Sequence, residues 1–198
     1  MSTLPTPTAI RIIREEHQAL GAMLSSLHLL LRQHRQDGSP VRFDVLRAML
    51  FYIDEFPERL HHRKESDLLF PLIRQRSDRA AEMLDKLDRD HGVGERAIRD
   101  LEHTLLSWEM LGETRREHFE QAVERYLSFY LKHMQIEEEV VLPLALQVLE
   151  ASDWAVLDDA FGENRDPLTG HPPSAEYEQL FSRIVRTAPA PIGLGSTA

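Results

Sequence analysis

Apolar residues recur along most of this chain at the three- and four-residue spacing of a helix, in long runs parted by short breaks. In the first run Ile10, Ile13, Leu20, Leu24, Leu27 and Leu31 define one face of a helix predicted from Ala9 to about Gln36. Asp37-Gly38-Ser39-Pro40 ends it, because glycine and proline interrupt helical hydrogen bonding. A second helix is expected from Arg42 to Gln75, with Phe43, Leu46, Leu50, Ile53 and Leu60 inward and a kink at Pro57. A third starts at the N-cap candidates Ser77-Asp78 and runs to Met110 through Met83, Leu84, Leu87, Ile98, Leu101 and Leu105. Gly92 and Gly94 lie inside it at a cost of roughly 1 kcal/mol each, which close approach of a helix or ligand would justify. Gly112 and Thr114 mark the next break, and a fourth helix spans Arg115 to Leu149.

Four long helices with short joins predict an all-α, up-down-up-down four-helix bundle over residues 1–150. Residues 151–198 form a C-terminal helical extension, with a short helix at Asp153–Phe161 stopped by Gly162 and a second starting at Ser174. The stripe Tyr177, Leu180, Phe181, Ile184 and Val185 needs a partner, either the bundle or a second subunit, which motivates a homodimer.

The net charge of −10 on 198 residues argues against nucleic acid and against an anionic membrane surface. No apolar run is long enough to span a bilayer and no secretory signal is evident, so a cytoplasmic location is expected. The absence of cysteine excludes disulfides, thiolate zinc sites and iron–sulfur clusters, and leaves nitrogen and oxygen as metal donors.

Such donors occur in a repeated phrase. His61-x-x-x-Glu65 is followed by Pro71, and His133-x-x-x-Glu137 by Pro143. Residues i and i+4 share a helix face, so each copy aims an imidazole and a carboxylate at one spot. Each copy has a histidine upstream, His17 and His91, and every offset between the copies is 72 or 74 residues. One such pair is usually a surface contact; two in register predict a metal site. Four histidines and two glutamates exceed a closed zinc site and suit two metals bridged by carboxylates. Glu58 and Tyr130, three residues before His61 and His133, read as a surface acid and a packed aromatic. Phe51, Phe56, Phe70, Phe119 and Phe129 read as core filling.

These residues carry a family resemblance. Through REEH at 14–17, HHRKE at 61–65 with LLFP, DH at 90–91 and HMQIE at 133–137 with VVLP, the chain resembles the hemerythrin-like HHE cation-binding domain proteins. The resemblance implies two iron ions with an oxo or hydroxo bridge that bind O2 or respond to redox state. It makes His17, His61, His91 and His133 terminal ligands and Glu65 and Glu137 bridges. Oxygen-carrying hemerythrins have a further histidine one turn after the one matching His91, where this chain has Glu95. Glu95 is therefore a seventh candidate. His62 is a weaker one, because consecutive helical side chains diverge by about 100°. The favoured reading is a non-enzymatic protein binding O2 or another small diatomic or peroxide ligand. A di-iron peroxidase or oxidase, an iron store, and a site for zinc or another divalent metal stand as alternatives.

Overall fold

The computed structural model describes residues 6–173, 175 and 177–194, and is all-helical over them. Helix α1 is Thr8–Asp37, ended by Gly38 at φ 67°, the left-handed conformation that glycine adopts without strain. Helix α2 opens as Phe43–Ile53 and closes as Phe70–Arg76, with π-helical stretches Asp54–His61 and Glu65–Leu69 between. Helix α3 is Ala81–Leu111, and the turn Glu113–Arg115 joins it to α4. Helix α4 runs Arg116–Ile136, widens to a π-helix over Glu137–Val141 and finishes as Leu142–Val148. Two more helices follow, α5 at Ala151–Gly162 and α6 at Glu178–Thr187.

The π-helical stretches explain the prolines. A proline has no N–H and its ring collides with the carbonyl four residues back. Just before Pro71 the Phe70 N–H reaches back five residues to Glu65, and just before Pro143 the Leu142 N–H does the same to Glu137. Around Pro57 the His62 N–H bonds the Pro57 carbonyl, again five residues back. The expected kink at Pro57 is thus a widened turn. It also shifts the facing of the helix: Leu60 is 42% exposed, while His61 and His62 are buried.

Three boundaries differ from expectation. Ser77 caps a turn, its Oγ accepting from the Arg79 N–H, and α3 begins only at Ala81. Helix α5 begins at Ala151, where Glu150 and Asp153 form a capping box. The start expected at Ser174 lies outside the described residues, and α6 is formed from Glu178. Phe51 is exposed rather than core.

Apolar side chains gather in two clusters. One holds Leu24, Leu46, Tyr52, Leu101, Trp108 and Phe119; the other holds Ile10, Ile13, Phe70, Leu87, Leu142 and Phe161. The extension covers both. Leu157 and Phe161 of α5 join the second cluster, and Phe181 and Ile184 of α6 join the first. The apolar stripe that motivates a dimer is thereby covered within the chain. No helix among the described residues is long and apolar enough to cross a membrane.

Candidate metal centre

Between the two apolar clusters lies a layer of buried polar side chains, all under 10% exposed, that includes His17, His61, His62, Glu65, His91, His133 and Glu137. Burying these groups is costly unless they are paired or hold a metal. Helix α1 supplies His17, α2 supplies His61, His62 and Glu65, α3 supplies His91, and α4 supplies His133 and Glu137.

The layer has two halves. On one side His17 Nε2 faces His61 Nε2 at 3.2 Å; on the other His91 Nε2 faces His133 Nε2 at 3.1 Å. The two glutamates connect them. Glu65 puts Oε1 3.3 Å from His61 Nε2 and Oε2 3.4 Å from His91 Nε2. Glu137 puts Oε2 3.3 Å from His17 Nε2, and Oε1 3.2 Å from His133 Nε2 and 3.7 Å from His91 Nε2. All four carboxylate oxygens are buried and accept no hydrogen bond.

Outward nitrogens are held by other groups. His61 Nδ1 donates to Glu16 Oε2 at 2.7 Å, and His17 Nδ1 to Glu138 Oε1 at 3.0 Å. His91 Nδ1 meets Ser66 Oγ at 2.8 Å, and that hydroxyl donates to Asp88 Oδ1. With Nδ1–H spent on these acceptors, the Nε2 lone pairs of His17, His61 and His91 point inward. Lone pairs 3 Å apart repel unless a cation stands between them, and buried carboxylate oxygens without donors make the same demand. The donor set fits metal.

Electrostatics point the same way. Burial disfavours charge on His17 and His61, but Glu137 and Glu138 raise the first, and Glu65 and Glu16 raise the second well above the ordinary value. His91 rises to about 9 against its burial, through Glu137 and Glu65. Burial also opposes charge on Glu137, yet His133, His17 and His91 hold it well below the ordinary carboxylate range. The apo centre therefore gathers protons where cations would sit.

Glu95 is not brought to this layer. Its side chain is 55% exposed and pairs with Arg99 at 3.0 Å. His62 is brought there: one donor atom each of His62, Glu65, His91 and His133 lie within 4.8 Å of one another. A divergence of about 100° argues against two neighbours reaching a single point. Here His61 turns to His17 on α1 while His62 stacks on His91 of α3, ring centroids 4.4 Å apart, so divergence is what the two halves require. Burial, then His91, His61 and His133, hold His62 well below its ordinary pKa, hence as neutral imidazole.

Sequence reasoning also missed the surroundings of His62. Glu58, read as a surface acid, is 2% exposed. Its Oε2 accepts from His62 Nδ1 at 3.1 Å, and its Oε1 from the hydroxyls of Tyr126, at 2.6 Å, and Tyr130. The i, i+4 spacing of Glu58 and His62 was the available signal. Gly94 has its reason here, since a Cβ there would collide with the Tyr130 hydroxyl. Beside this network a cleft of about 590 Å³ reaches His62 and His91 from the surface, with Arg59, Arg63 and Glu95 on its walls.

The sequence matches the family described as Hemerythrin HHE cation binding domain over residues 8–145. The chain belongs to the hemerythrin HHE cation-binding domain family. The match runs from the start of α1 into the last turn of α4, takes in every histidine and glutamate of the layer, and stops before α5. No curated protein and no solved structure matches the chain. Membership and the buried His/Glu groups agree on one property, the binding of metal cations.

Proposed function

We propose that this hemerythrin-like chain is a non-haem di-iron protein that binds O2 or senses oxygen or redox state. His17 and His61 would hold one ion and His62, His91 and His133 the other, with Glu65 and Glu137 shared between them. The observation that carries this reading is the nitrogen-rich donor set. Five buried imidazoles converge with two carboxylates, each of which turns one oxygen to each half. His62 restores the fifth nitrogen that Glu95 lacks. A pair of iron ions in that position supplies reversible electron exchange and affinity for O2. The chain's own residues do the rest: Glu16, Glu138 and Ser66 fix the imidazole tautomers, and the apolar clusters flank the layer, leaving the cleft at His62 and His91 as its opening.

Protein produced with iron is expected to carry about two iron ions per chain and to absorb visible light in air. Less than about one ion per chain with no such absorption sinks the reading.

A second reading, a di-iron peroxidase or oxidase, draws support from the cleft reaching His62 and His91 and from two buried phenols bonded to Glu58. Turnover of hydrogen peroxide with an added reductant, lost in His61→Ala, would favour it. Stoichiometric release of O2 without turnover would count against it.

A further inference from the structure

We propose that Asn164, in the extension beyond the family-matched segment, is a positioning residue of the metal centre, clamping Glu16 so that Glu16 holds the His61 ring in place. The proposal rests on the reading of His61 as a metal ligand. Asn164 is 4% exposed and makes three side-chain hydrogen bonds across the chain. Its Nδ2 donates to Glu16 Oε1 at 2.9 Å and to Oε2 at 3.1 Å. Its Oδ1 accepts from Lys64 Nζ at 2.6 Å. The amide has only this orientation available, since the flipped one would set oxygen against a carboxylate and NH2 against an ammonium. Glu16 Oε2 in turn accepts from His61 Nδ1 at 2.7 Å.

The extension is fixed to α1 at two separate places. The start of α1 has no side-chain cap of its own, and Asp158 of α5 accepts its Ala9 N–H at 2.7 Å. About two turns on, Asn164 holds Glu16. Between them Phe161 lies edge-on to His61, ring centroids 6.1 Å apart. Lys64, next to Glu65, ties Asn164 and the Ala160 carbonyl back to α2.

The other half is held by groups that do not involve Asn164: Ser66 and Asp88 stand behind His91, and Glu58 with Tyr126 and Tyr130 behind His62. His133 Nδ1 has Asp90 Oδ2 at 3.6 Å and forms no hydrogen bond. Loss of Asn164 should therefore loosen one ion and spare the other. Removing a group that orients a ligating imidazole through its hydrogen bond weakens metal affinity by roughly 10–100-fold.

The test is cobalt(II) uptake by the full chain, followed by competition with a chromophoric chelator and by the cobalt absorption bands. Wild type, N164L, E16Q, the N164L/E16Q double variant and D158A are compared. We expect N164L to weaken one equivalent by roughly 10–100-fold and leave the other unchanged, E16Q to do likewise, and the double variant to be no worse than E16Q. D158A, which loosens α5 without touching Glu16, should lower the melting temperature of the metal-free protein and leave cobalt affinity alone. Equal affinities in N164L and wild type overturn the proposal. So does an N164L effect that persists in the E16Q background, or a D158A loss as large as that of N164L. If N164L does not fold, N164A carries the same expectations. Failure of wild type to take up any cobalt overturns the metal reading itself, and this proposal with it.

Discussion

The two halves of the centre are written with the same phrase, His-x-x-x-Glu followed by proline, and are finished differently. The His17/His61 half is closed. Glu16, Asn164 and Phe161 cover it, and the cavity beside it has room for about one water. The His91/His133 half has an additional imidazole, His62, and a cleft of about 590 Å³ leads to it from the surface. The repeat thus accounts for what the halves share, while residues outside the repeat make them unequal. Proposed ligation is unequal too, with two imidazoles against three.

Glu137 bears on both halves at once, so its loss is the harshest challenge to the comparison. Glu137→Gln leaves His17, His91 and His133 without their common carboxylate. Metal analysis should find the content down from about two per chain to below one; retention of both ions would break the account. His62→Leu acts on one half alone. It should weaken a single equivalent by at least roughly tenfold, whereas Glu95→Gln should change nothing measurable by chelator competition. The reverse ranking would return Glu95 to the site and remove His62.

Gly94→Ala probes the cleft side without touching a proposed ligand. The new methyl must displace Tyr130 from Glu58, and overpacking of this kind costs about 1–3 kcal/mol, readable by chemical denaturation.

The closed side offers a test through pH. Burial holds the Asp166 carboxyl up at about 6, although Tyr52 Oη–H and the Leu168 N–H donate to it. Between pH 4 and 6 the folded chain therefore binds more protons at this residue than the unfolded chain, so its contribution to stability falls as pH rises through that window. Asp166→Asn should stabilise the metal-free protein by up to about 3 kcal/mol at pH 7.5, and by almost nothing at pH 4. A stability difference independent of pH would show that Asp166 is an ordinary carboxylate.

The bundle was legible because apolar spacing is a local signal, and Ile10, Leu24, Leu46 and Leu101 are all buried as their positions imply. The pairing of His61 with Glu65 and of His133 with Glu137 was legible for a similar reason, the i, i+4 rule, and the placing of His17 and His91 beside them through the matching offsets of the repeat. His62 was legible only as a weaker candidate, because the expectation assumed that neighbouring side chains must reach a single target point. A two-sided layer, on a helix widened around Pro57, changed that premise. Asn164 was invisible in principle: 148 residues separate it from Glu16, and no periodicity relates them. Glu95, one turn from His91, stands at the cleft wall and pairs with Arg99 rather than joining the buried layer, a distinction that depends on which face of its helix is covered.

The central claim is a two-ion centre with unequal halves, and stepwise metal loading with the visible spectrum recorded in air and after reduction tests it most directly. About two iron ions per chain, bound in two steps of different affinity, with a visible band in air that bleaches on reduction, is the expected result. A single step saturating at one ion, with no band in air, would contradict it.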